Sequence, residues 1–102
     1  CGPTFAGPPY PPEPVPGALV IVGGGKLPAA VRDEFVALAG GKEKARIVVI
    51  PTASASADDP TATPAAAWQG LAAAVDVLHT RDRKTADSPA FVKPLMTATG
   101  VW

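Results

Sequence analysis

Four short apolar runs punctuate the chain, at residues 19–22, 46–50, 75–78 and 100–102. The first two, four and five residues long and rich in β-branched side chains, read as strands buried on both faces, and 75–78, extended by His79 or not, reads as the third strand. Helix-length chain follows each of them. Three β–α units in succession predict a parallel sheet with right-handed crossovers, hence an α/β sandwich. The fourth run reads as the opening of a further strand. If the strands take the flavodoxin-like order 2-1-3-4, counted from residues 19–22, an unfinished sheet leaves a bare apolar edge.

Residues 1–16 stand apart. Seven prolines, Pro3, Pro8, Pro9, Pro11, Pro12, Pro14 and Pro16, fix φ and remove donors, so this segment reads as an extended tether and not as core. A ligand for a proline-binding module is the sharper alternative. Cys1 is the one cysteine, which excludes an internal disulfide, and no cluster has metal-ligand spacing. A chain starting Cys1-Gly2 and running into prolines resembles a bacterial lipoprotein after signal-peptide removal, with lipid on Cys1. That resemblance implies a secreted or cell-envelope location. The plain alternative is an ordinary thiol at an arbitrary cut point, in a cytoplasmic protein. Nine acidic and nine basic residues balance, which gives no electrostatic case for nucleic acid, and membrane attachment would rest on the lipid alone.

The remaining elements follow from local chemistry. Leu27, Val31, Phe35 and Leu38 form an apolar stripe on a helix of about three turns, with Pro28 at its start and Gly40-Gly41 as its stop. Residues 65–74 read as an alanine-rich helix with Trp68, Leu71 and Ala72 turned inward, weakened at Gly70. Ser88-Pro89 is a helix start, and Pro94 predicts a kink or a break into two short turns.

The glycine turn after the first run invites a nucleotide reading, which fails on inspection. Gly23, Gly25 and Pro28 occupy the places of G-x-G-x-x-G, so the third glycine is lost. Pro51 and Thr52 stand where an acidic residue would hold the ribose, and Lys26 is followed by Leu27 instead of Ser or Thr. No cofactor is expected. A Ser54–His79–Asp82 set can be imagined at two strand ends, but Thr52-Ala-Ser54-Ala lacks the Gly-x-Ser-x-Gly of a nucleophile elbow. On this reading Thr52 and Ser54 bond loop backbone and His79 is a partly buried strand-end residue. Arg81 could grip a substrate carboxylate in bidentate geometry, or belong to a solvated charged loop.

Three phrases carry a resemblance: Gly17-Ala-Leu-Val-Ile-Val-Gly-Gly-Gly25, Arg46-Ile-Val-Val-Ile-Pro-Thr-Ala-Ser54 and Ala98-Thr-Gly-Val-Trp102. In order and separation they resemble the start of the cyanophycinase and aspartyl dipeptidase family, serine peptidases with a class I glutamine amidotransferase-like fold. The resemblance implies the N-terminal half, about three β–α units, of a flavodoxin-like three-layer sandwich over residues 17–102. It implies hydrolysis of an aspartyl-type peptide or amide bond, with the nucleophilic serine on an elbow beyond Gly100 and its histidine later still. This chain would then hold no catalytic residue and be inactive alone, its partners being the remainder of its own domain and a peptide substrate. Gly23, Gly24 and Gly25 would line the floor beside the elbow, with Thr52 and Ser54 flanking it. A non-catalytic α/β binding or scaffold domain is the alternative from another class.

Overall fold

A computed structural model of the chain describes residues 16–102; the expected proline tether up to Val15, and the lipidation expected at Cys1, lie outside the described residues. Three parallel strands form one sheet: β1 (Arg46–Val49), β2 (Ala74–Val77) and β3 (Gly100–Val101), in the order β2-β1-β3. Arg46 lies opposite Ala74 and Ile47 opposite Gly100. The chain is therefore an α/β protein with a small parallel sheet.

β1 is central because it is the run best able to lose water on both faces. Ile47, Val48 and Val49 are all buried. Ile47 and Val49 pack with Val36, Ala39, Ala45 and Trp68 in one core cluster. Val48 alternates with them and so points to the opposite face. That is the side to which a right-handed crossover carries the connection from β2 to β3.

α1 (Ala29–Leu38) covers the first face. Its inward residue is Val36, with Phe35 beside it and the C-cap Ala39 also buried, whereas Leu38, expected in the stripe, is exposed. The difference is one of phase: the helix rolls to set Phe35 against two tryptophans. Phe35, Trp68 and Trp102 form a closed trio, with ring centroids 5.1 to 5.3 Å apart and tilted or edge-on planes. Gly40 and Gly41, at φ +115° and +86°, end the helix as expected, and the Gly41 N–H donates to the Val36 carbonyl.

Two expectations are corrected. Residues 18–22 form no strand; Leu19 is 88% and Ile21 89% exposed. The centre of the sheet, which order 2-1-3-4 gave to this run, belongs to β1, and both sides of β1 are taken by β2 and β3. Residues 65–73 form successive turns and no helix. Trp68 and Gln69 donate to the Ala65 carbonyl, and then Gly70 at φ +77° turns the chain out of helical geometry. Trp68, Leu71 and Ala72 nevertheless face the core.

After β2 come two single-turn helices and a 3₁₀ turn. Asp82 caps α2 (Arg83–Ala86) by accepting from the Thr85 N–H, and Ser88 caps α3 (Pro89–Val92) by accepting from Phe91. The 3₁₀ turn, Lys93–Met96, begins where Pro94 denies α3 a continuation. No helix among the described residues is long and apolar enough to cross a membrane.

Candidate functional site at the carboxyl rim

In an open parallel sheet of order 2-1-3, successive crossovers leave on opposite faces, and the loops at the carboxyl ends of strands 1 and 3 part to form a crevice. A cavity of about 650 Å³ lies there. Val49, Ile50 and Pro51 line it from the end of β1, Trp102 from beyond β3, and Trp68 from the core. The polar groups on its wall are the hydroxyls of Ser54, Ser56 and Thr63 and the carboxylate of Asp59. An apolar floor with few polar groups is the usual make-up of a small-ligand site.

The long loop after β1 is shaped by its own side chains. Ser54 Oγ accepts from the Ser56 N–H at 3.3 Å and lies 3.1 Å from Ser56 Oγ. Asp59 accepts from both the hydroxyl and the N–H of Thr61, which holds its carboxyl below the ordinary carboxylate value. The cavity wall is thus anionic at neutral pH and carries no basic side chain.

A polar clasp joins this loop to the end of β2. Thr52 Oγ1 lies 2.9 Å from His79 Nδ1, and His79 Nε2 lies 2.7 Å from Asp58 Oδ1. Arg81 reaches the other carboxylate oxygen of Asp58 through Nε and Nη2, both at 3.1 Å. The hydrogen bond from His79, and then that from Arg81, lowers the Asp58 pKa, so the carboxylate only accepts. His79 therefore donates from Nε2, and in the tautomer with its single proton there Nδ1 accepts from the Thr52 hydroxyl. The array has the polarity of a general-base relay. However, neither Thr52 nor His79 borders the cavity, so its evident work is to hold the loop down.

The structure thus separates the residues singled out by sequence. Thr52 and His79 meet, joined by Asp58, which sequence reasoning passed over; its contact to His79 spans 21 positions and leaves no local pattern. Asp82 is a helix cap, not a partner of His79. Ser54 does line the cavity, bonded to the Ser56 backbone as expected of it. Arg81, the candidate for gripping a substrate carboxylate, already grips Asp58. Gly23, Gly24 and Gly25 stand in open space: a Cβ added at any of them meets nothing within 4 Å, so the close-packed floor expected of them is not formed in this arrangement. No group of three or more potential metal ligands occurs among the described residues.

Acid should open the clasp. A carboxyl with a lowered folded pKa contributes stability that is complete above its ordinary value, about 3.9, and is lost as pH falls through the lowered one. Amides of residues 51–64 should therefore exchange faster below about pH 4, and Asp58→Asn should reproduce that at neutral pH while β1 stays protected. Unchanged loop exchange in the variant would refute the clasp.

Compared with protein-family models, with curated proteins and with solved structures, the chain matches none.

Proposed function

We propose that the chain is the N-terminal portion of a cyanophycinase-like serine peptidase that hydrolyses an aspartyl-type peptide or amide bond. The observation that carries this reading is the cavity at the carboxyl ends of β1 and β3, walled in part by Pro51, Ala53 and Ser54 of the phrase on which the resemblance partly rests. A small parallel sheet with helices is compatible with the beginning of a flavodoxin-like three-layer sandwich, although residues 18–22, which the flavodoxin-like order places at the centre, are not a strand. In that sandwich the rim supplies substrate contacts, and the nucleophile comes from the part of the full-length protein after Trp102. The remainder of the domain is then the partner of this chain. Lipid on Cys1 would tether the protein to a cell envelope through residues 1–16.

Chemistry limits what these residues do alone. A serine hydroxyl is a poor nucleophile without a general base and oxyanion donors. Ser54 bonds Ser56 and has no imidazole among its hydrogen-bond partners. Residues 1–102 should therefore show no turnover of β-aspartyl dipeptides. Co-expressed with the following portion of the full-length protein, they should release aspartate and be silenced by a serine-directed reagent that labels outside this chain. Labelling of Ser54, or inactivity of the reunited protein, would defeat the peptidase reading.

A second reading, a binding domain without catalysis, has one observation in its favour. The cavity is formed while Thr52 and His79 of the relay-like clasp do not border it. Binding of a dipeptide to the full-length protein without product would decide for it.

A further inference from the structure

The outer edge of β3 is the open side of the sheet nearest to a stretch of apolar chain. Among the described residues β3 has β1 on one side and no strand on the other. Beside it runs a cavity of about 460 Å³, walled by Gly17, Ala18, Leu19 and Val20 on one side and by residues 98–102 with Leu38 on the other. Val101 is 50% exposed on this edge, and Leu19 and Ile21 face water almost fully. Exposed edges in stable proteins are usually guarded by charge or proline; residues 99–102 and 17–25 carry neither.

We propose that residues 18–22 seat on the free edge of β3 as a fourth parallel strand, carrying the Gly23–Gly25 turn to the carboxyl rim beside Trp102. The hand of the fold supports this seat. The crossover from β1 to β2 runs over the face where Trp68 meets Phe35. A strand beyond β3 that continues through α1 into β1 crosses the sheet in the same sense. Right-handedness then requires α1 on that same face, and α1 is already there, with Phe35 against Trp68 and Trp102. Lengths agree as well: five strand residues span about 16 Å, and the ten residues of α1 return about 15 Å. Side chains alternate suitably, Leu19 and Ile21 being outermost and Val20 partly covered. Seating pairs the idle backbone groups of both segments and removes their apolar side chains from water. Leu27, just past the glycine turn, already lines the rim cavity, so the turn travels a short way to wall its open side.

Amide hydrogen exchange on the full chain, with sedimentation at the same concentrations, tests the seat. Monomeric protein should show the amides of residues 19–22 and Val101 exchanging roughly tenfold or more slower than unstructured chain. Val20→Pro should release both groups together while Val48 stays protected. Exchange of residues 19–22 at the unstructured rate in the unmodified chain would overturn the proposal. So would protection that appears only with dimerisation, which would assign the edge to a second copy.

Discussion

Trp68→Ala should be the most damaging single substitution in the described residues, destabilising the domain by about 3–5 kcal/mol. Trp68 is 1% exposed and is the largest fully buried side chain. It touches both aromatic neighbours and the end of β1, so its removal leaves Phe35 and Trp102 without their common partner. The loop that carries it has no helix to preserve its shape, and collapse onto the cavity is opposed by Pro64 and the turn at Gly70. A loss of that size is comparable with the whole stability of a small domain. Far-UV circular dichroism in a urea titration should show little or no folded baseline. A midpoint close to that of the unmodified chain would mean the trio is peripheral.

Gly100→Ala should cost about 1–3 kcal/mol through overpacking, a large effect for one added methyl. Gly100 is not among the glycines of positive φ, so backbone freedom is not the reason for it. Space is. An added Cβ would sit 3.0 Å from the Ala39 Cβ and 3.0 Å from the Phe35 Cζ. Ala39 has no rotamer by which to retreat, and Phe35 can move only by leaving the tryptophans. α1 would therefore have to lift from β3. Met96→Ala is the control: Met96 is 80% exposed and its truncation should stay within about 0.5 kcal/mol of the parent in the same titration. Equal effects of the two would contradict the packing account.

Much of this architecture is written in local chemistry. Gly40-Gly41 announces the end of α1, Ser88-Pro89 the start of α3, and Pro94 the break into a 3₁₀ turn; each acts through its own backbone, so neighbours suffice to read it. Runs 46–50 and 75–78 become β1 and β2 with a shift of one residue. The misreadings share one cause, competition between distant segments. Alanine propensity favours a helix at 65–74, but burying Trp68 against Phe35 and Trp102 outweighs it, with Gly70 ready to turn. Residues 18–22 have strand composition, yet the partners of β1 are chosen by the whole sheet. At the rim, Ser54 was legible from the strand-to-loop change. The clasp was not, because Asp58 and His79 meet only once β1 and β2 are paired.

The pairing of β3 has a kinetic consequence. β1 and β2 join across 28 positions, Arg46 to Ala74, whereas the side-chain bond from the Arg46 N–H to Thr99 bridges 53. Each doubling of a closing loop adds about 0.6 kcal/mol of entropic cost, and the ladder of β3, even with the flanking backbone bonds of Thr99, Ile50 and Trp102, is shorter than that of β2. The β1–β2 pair therefore closes at the lower entropic cost, and β3 is expected to add later. Trp102 rides on that addition, so the rim cavity and the aromatic trio should be complete only once β3 has docked, and exchange at the Trp102 amide faster than at the β1–β2 ladder would show it.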